Sequence, residues 1–533
     1  MLSELLSYPA LLVSAIFLLY SIVFLLKRPQ IPEIPIIGAR KGDWFPLLQA
    51  RWRNARDFKT ALERAYMQRG PVLVPVAEEG NIVILPFAEV KFITDQPESI
   101  LNFDERANNF VQIEHTFMDP RIASVALQGS FLRTQLTRQI GSLVPVLAEE
   151  VAWAVEKYWR VTDTDDEWHD VCVFETIRHI VGSVANRAFV GLPFCRDPEL
   201  VNNGMAFAVD VPLSSAIIKL IWKPLRPLVA PLITIPNRIH TWRFRNILIS
   251  EIERRLRRYD EQQKDPEGKT PPFEPEPNDV LQWLIKQGKA SGDPYMWRSK
   301  TLADRILTIN FASIHSTSFT MTEVILDLVS SKAEYIDEIR DEVSSVLAAH
   351  GGKWNKNALN QLEKLDSAIR ESARLSSVLS TGLARTVVAE NGVTTPSGVH
   401  LPQGTKVNVA ARCIMRDEAI WAESETFMPF RFYDQRNGEF QITGGTGGYK
   451  EDLVRRARNA LTTTSPDFLT FGHGIRACPG RFFAAASLKL MVAEALLGYE
   501  FEILPNKPKD SWFGVTRVPP LKASIKIRKR RKL

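Results

Sequence analysis

From Thr301 to Ser331 the chain contains neither proline nor glycine, and about half of its residues are apolar. Nothing in that run breaks a helix, so it predicts one rod of about 45 Å, long enough to cross an entire domain. Near its middle lies Ala312-Ser313-Ile314-His315-Ser316-Thr317-Ser318, a cluster of small polar residues in an otherwise apolar helix. Side-chain hydroxyls compete there for backbone carbonyls and can bend the helix or open a bulge. The plainer reading is a face turned to water.

The 533 residues show no repeat at a fixed period and no convincing mid-chain linker. One large, mainly helical domain with small β-sheets accounts for them better than several domains, and it is large enough to enclose a cofactor. Cys172, Cys195, Cys413 and Cys478 have no C-x-x-C spacing. That argues against a zinc site or a disulfide framework and fits a reducing, cytosol-facing compartment. The net charge is +6, with a basic tail from Lys526 to Lys532. With no base-reading fold in evidence, nucleic acid is not the expected partner. The tail reads as a solvated end or a membrane-surface contact.

Pro9 to Leu26 is apolar or small throughout, apart from Ser14, Tyr20 and Ser21, and Lys27-Arg28 follows at once. Such a run reaches roughly 27 Å, enough for a thin bilayer core, and the basic pair places the rest of the chain in the cytosol. Glu4 before the run and Lys-Arg-Pro after it favour a retained anchor over a cleaved signal peptide. The expected organisation is an anchor over 1–28, a proline-rich hinge and linker over 29–50, and the main domain over 51–533. The expected location is the endoplasmic reticulum membrane. Residues 72–87 read as a hairpin around Glu78-Glu79-Gly80-Asn81. Residues 265–278 read as an exposed loop, and Gly444 to Gly448 as a surface loop without a phosphate-binding frame.

The chemistry concentrates in Phe471-Gly472-His473-Gly474-Ile475-Arg476-Ala477-Cys478-Pro479-Gly480-Arg481. A cysteine just before a helix feels the positive end of the macrodipole, Arg476 adds charge, and both favour the thiolate, a soft metal ligand. Gly474 and Gly480 leave room for tight turns and for a flat group to approach. Phe471 is placed to shield the sulfur from water. A lone cysteine at such a turn is ordinarily a buried structural residue. Here the complete pattern F-x-x-G-x-R-x-C-x-G points to a ligand instead. Upstream, Glu371 and Arg374 share one face of a helix over 362–375. Arg431, in Phe427-Met428-Pro429-Phe430-Arg431-Phe432, is a second arginine able to share Glu371.

With these motifs in this order, the chain from about residue 30 to 525 resembles the cytochrome P-450 family of haem-thiolate monooxygenases, of the microsomal type. The resemblance implies haem b with Cys478 as the axial iron ligand, and Arg476 on a haem propionate. Arg385 is a further propionate contact, and Arg133 a substitute for the arginine of a W-x-x-x-R motif that is missing here. It also implies a buried network of Glu371, Arg374 and Arg431 behind the haem, and an oxygen-activation motif at 312–317. That motif departs from the family pattern, because His315 stands for an acid, Ser316 for the first threonine and Ser313 for a glycine. His315, Ser316 and Thr317 are accordingly the expected proton-delivery residues. The helix looks similar to those of fungal members that oxidise terpenoid, steroid or polyketide skeletons in secondary metabolism. Electrons are expected from NADPH through a membrane-bound reductase. A haem-thiolate isomerase or dehydratase, a Cys478–His473 hydrolase and a non-catalytic haem sensor are the competing readings.

Overall fold

A computed structural model describes residues 32–124, 131–161, 167–264, 275–437, 454 and 457–530. The expected anchor at 9–26, the glycine-rich loop at 444–448 and most of the 265–278 loop lie outside the described residues. Among the described residues no helix is long and apolar enough to cross a membrane. The helices used below are α1 (Pro46–Arg56), α2 (Phe58–Met67), α3 (Phe103–Val111), α4 (Thr137–Trp159), α5 (Val173–Phe189), α6 (Pro198–Leu220) and α7 (Ile235–Lys264). They continue as α8 (Val280–Ala290), α9 (Ser299–Val329), α10 (Ala333–Ala349), α11 (Glu363–Leu375) and α12 (Arg481–Gly498).

The strands are short: β1 (Val72–Val76), β2 (Gly80–Leu85), β3 (Leu101–Asn102), β4 (His169–Cys172), β5 (Gly382–Val387) and β6 (Val393–Thr394). Then come β7 (His400–Leu401), β8 (Lys406–Val409), β9 (Tyr499–Phe501), β10 (Ser511–Phe513), β11 (Thr516–Val518) and β12 (Ser524–Lys529). Five of them form one sheet in the order β1-β2-β8-β5-β3, in which only β2 and β8 run parallel.

The expected rod is present. α9 runs unbroken over 31 residues and packs against α5, α6, α7, α11 and α12. Thr301–Leu307 and Met321–Val329 are buried on every side, the pattern of a helix enclosed by its neighbours. The bulge expected at 312–318 does not form. Ser316 Oγ donates to the Ala312 carbonyl at 3.1 Å and Ser318 Oγ to the Ile314 carbonyl at 2.7 Å. The hydroxyls thus take a second bond to carbonyls of the helix without opening it.

The hairpin expected at 72–87 is β1 and β2, paired Val72↔Ile84 through Val76↔Gly80, with Gly80 and Asn81 already inside the second strand. The proline-rich segment is docked from its middle onward. Ile37 N–H donates to Leu73 O at 2.8 Å, and Leu73 N–H to Pro35 O at 2.9 Å. The basic tail departs from expectation. Ser524–Lys529 is β12, the central strand of a sheet ordered β4-β12-β9. Ile525 and Ile527 face inward while Lys526 and Arg528 pair with Glu502 and Glu500. The two-residue alternation, not the charge, decides its place.

Candidate active site

The cysteine loop is closed by a hydrogen bond from the Cys478 N–H to the Phe471 carbonyl at 2.8 Å. Gly472 and Gly474 sit at φ +65° and +74°, left-handed conformations that a side chain resists. At Gly474 a Cβ would also come within 3.1 Å of Thr94. Pro479 and Gly480 form the turn into α12, which begins at Arg481. Phe471 packs against the main hydrophobic core from a half-buried position.

The sulfur's surroundings differ from expectation in one respect. Burial pushes the Cys478 thiol up, against the pull of the Gly480 and Arg481 N–H groups and the Arg481 charge. Arg476 does not contribute. Its guanidinium is tied to Glu98 at 2.6 Å and Asp104 at 3.1 Å. The other buried thiols have no such donors. Burial pushes Cys195 and Cys413 up to about 12, and Glu150 and Glu63 respectively add to the shift. Cys478 is therefore the thiol provided with backbone donors for a negative sulfur.

A haem would find matching partners around this loop. Beside Gly480 the space is open, since a Cβ there would meet nothing within 4 Å. Arg385 is buried and, among the described residues, donates only to the Ala384 carbonyl at 2.9 Å and has no carboxylate bonded to it. Burial pushes its guanidinium pKa down, the mark of a cation short of an anion. Arg133 reaches the same loop, donating to the Ile475 carbonyl at 2.9 Å. Arg385 and Arg133 thus supply positive charge near the cysteine loop, where a propionate-bearing macrocycle requires it, whereas the Arg476 charge is taken up by Glu98 and Asp104. The residues present fit the group.

Ala312 and Ser316 are the exposed residues in the middle of α9. Four residues apart, they share one face. Thr317 is turned by about 100° from Ser316 in a continuous helix, so the two hydroxyls do not converge. His315 points elsewhere. It lies near Arg178 of α5 and the Met205 carbonyl, with no full hydrogen bond at either ring nitrogen. Its ring is 5.9 Å from that of Phe319. Burial, with the Arg178 charge acting in the same direction, lowers its pKa to about 4. A proton relay titrating near neutrality is not what this imidazole provides. Ser313 Oγ stays on its own helix, 3.4 Å from the Asn310 carbonyl.

Glu371, Arg374 and Arg431 meet in one charge network. Arg374 makes a two-pronged contact with Glu371, both bonds 2.8 Å, and Arg431 Nε donates to Glu371 at 3.0 Å. The remaining donors reach carbonyls: Arg374 those of Met415 and Ser424, Arg431 those of Ala422 and Glu423. The Glu371 and Arg374 side chains are fully buried. Thr470, just before the cysteine loop, donates to the Ala373 carbonyl at 3.1 Å, so α11 and the loop are directly joined.

Three polar clusters gave no sequence signal. Asn186 and Asn310 exchange amide hydrogen bonds of 2.9 and 3.1 Å between α5 and α9. Glu323 is held by Arg517 and Lys507. Asp366 is held by Lys489 and Arg436. Each joins side chains far apart in the chain, which no local motif encodes.

The family model that matches the chain is described as Cytochrome P450 and covers residues 114–527. Among similar proteins, cytochrome P450 monooxygenase gloP of Glarea lozoyensis is 30% identical over 93% of this chain and 90% of its own. Cytochrome P450 monooxygenase 103 of Postia placenta is 30% identical over 98% and 99%. Cytochrome P450 monooxygenase pbrC of Penicillium brasilianum is 26% identical over 97% and 95%.

Proposed function

The chain belongs to the cytochrome P450 family and is a monooxygenase; from that premise we propose that it oxidises a hydrophobic small molecule of terpenoid, steroid or polyketide type in secondary metabolism. The observation that carries the site assignment is the enclosed Cys478 sulfur, addressed by the N–H groups of Gly480 and Arg481 beside an open face. Haem ligated by that thiolate supplies the oxygen-activating chemistry when bound.

The chain's own residues do the rest. The loop closed between Phe471 and Cys478 fixes the sulfur, and Arg385, Arg133 and, once released from Glu98 and Asp104, Arg476 would hold the propionates. The open face of α9 at Ala312 and Ser316 receives the substrate, with the Ser316 hydroxyl offering a proton or hydrogen bond there. His315 stays neutral and acts in packing. Electrons come from NADPH through a reductase.

Pro9–Leu26 with Lys27 and Arg28 serves as a membrane anchor, placing the domain on the cytosolic side of the endoplasmic reticulum. A second apolar surface supports membrane contact: Leu220, Leu225, Leu228, Leu232 and Ile235 are all exposed. Two experiments test the reading. The reduced, CO-bound spectrum should report thiolate ligation, be lost in Cys478→Ala and persist in Cys172→Ala, Cys195→Ala and Cys413→Ala. Deleting residues 1–28 should weaken attachment to microsomes with haem retained, the second apolar surface accounting for residual binding. A normal thiolate spectrum from Cys478→Ala would sink the ligand assignment, and a secreted protein cleaved after Leu26 would sink the topology.

A further inference from the structure

Arg305, in the N-terminal half of α9, is 1% exposed, yet its Nε and Nη1 have no hydrogen-bond partner among the described residues. Its one polar contact runs from Nη2 to the Met296 sulfur at 3.5 Å, a weak acceptor. The acids nearby are engaged elsewhere. Asp304 is paired with Arg245, and Asp119 with Arg121 at 3.1 Å. Burial pushes the Arg305 guanidinium pKa down, with only the Tyr295 phenol offsetting it. Arginine does not escape by losing its proton, so an uncompensated buried charge stays and destabilises the free protein. Other buried arginines fare better: Arg370 at least reaches the carbonyls of Ala460 and Thr463.

Its position gives this defect a use. Arg305 precedes Ala312 by seven residues and Ser316 by eleven, which places it within about 20° of the face they share. Along the axis it stands about 10 and 16 Å from them. Met296, which covers it, is an unbranched and adaptable side chain that an incoming group can displace.

We propose that Arg305 is a specificity residue that receives a carboxylate of the substrate, at the opposite end of the molecule from the carbon oxidised near Ser316. The inference rests on the substrate lying along the open face of α9, as in the function proposed above. A planar, singly charged carboxylate matches the guanidinium fork with two parallel hydrogen bonds. It supplies the acceptors that Nε and Nη1 lack. The substrate class is thus narrowed to hydrophobic acids, with the acid group and the reacting carbon well separated.

The test uses the haem-loaded enzyme and a fixed panel: abietic acid and the even-chain saturated acids from dodecanoic to hexadecanoic, each beside its methyl ester. Binding is followed by the Soret absorbance change and, independently, by the ligand-induced rise in Tm. Wild type should bind at least one acid about ten- to a hundredfold more tightly than its ester, the range set by hydrogen bonds to a charged group. Arg305→Met should abolish that preference while raising the Tm of the ligand-free enzyme, since a purely structural arginine would lower it. Arg305→Lys should keep part of the preference, and it decides the matter if Arg305→Met gives no folded protein. No acid preference anywhere in the panel, or a preference that survives in Arg305→Met, overturns the proposal. The CO-bound spectrum and reductase-dependent oxygen uptake with the esters test the monooxygenase reading separately.

Discussion

His315 stands where the resemblance leads one to expect an acid, and its surroundings make it a neutral, packed ring. Burial holds its folded-state pKa at about 4 against an ordinary 6.5. Between those values the unfolded chain binds the extra proton, so stability is full above about pH 6.5 and falls as pH drops toward 4. The 2.5-unit interval corresponds to roughly 3 kcal/mol at most. His315→Gln should flatten the wild-type loss of Tm between pH 6.5 and 4.5, and an unchanged slope would show that the ring does not carry it. Ser316 and Thr317 should separate clearly. Ser316→Ala is expected to cut coupled turnover by about 10²-fold or more, the lower end of acid–base contributions. Thr317→Ala should change it little, because the unbroken helix turns that hydroxyl away. Product formed per NADPH consumed is the measurement, and equal losses in the two variants would mean that the hydroxyls do converge.

Between elements, the three-residue spacing of Glu371 and Arg374 in α11 was legible because a helix puts such residues on one face. Arg431 was legible because its short apolar segment leaves a buried guanidinium no other acid. What spacing could not reveal is how completely the donors are used: the two arginines reach four backbone carbonyls besides Glu371. Removing Glu371 leaves both cations buried, and a broken buried pair costs about 3–5 kcal/mol. Glu371→Ala should accordingly yield little folded protein and little haem, and Glu371→Gln should recover only part of it. Near-normal haem content in Glu371→Ala would show that carbonyls alone suffice. The Asn186–Asn310 pair, 124 residues apart, lay beyond any local reading. Its partners become neighbours only once α5 packs on α9. The absence of a bulge in α9 belongs to the same scale, since tertiary packing on its surrounding helices holds the ladder straight where hydroxyls alone favour bending.

At the scale of the whole molecule, the C-terminal residues close the fold. Read by charge, Lys526 to Lys532 was a solvated tail, because lysines and arginines hid the buried isoleucines between them. In the fold, β12 joins β4, paired Ser524↔Cys172 through Ile527↔His169, to β9, paired Ile527↔Phe501 through Lys529↔Tyr499. It therefore ties the entry to α5 to the exit from α12, the helix that follows the cysteine loop. Ile525 and Ile527 are 1% and 0% exposed. Burying two such side chains contributes about 3–6 kcal/mol, comparable to much of a domain's net stability. Ending the chain at Pro520 should therefore abolish stable folding and haem retention. Lys526→Gln should leave both intact, because that charge faces outward while the isoleucines carry the strand. Ile527→Asp provides the decisive contrast, removing the inward face with the length and the ladder preserved. If it keeps wild-type Tm and haem content, β12 is dispensable and the charges, not the alternation, define this end of the protein.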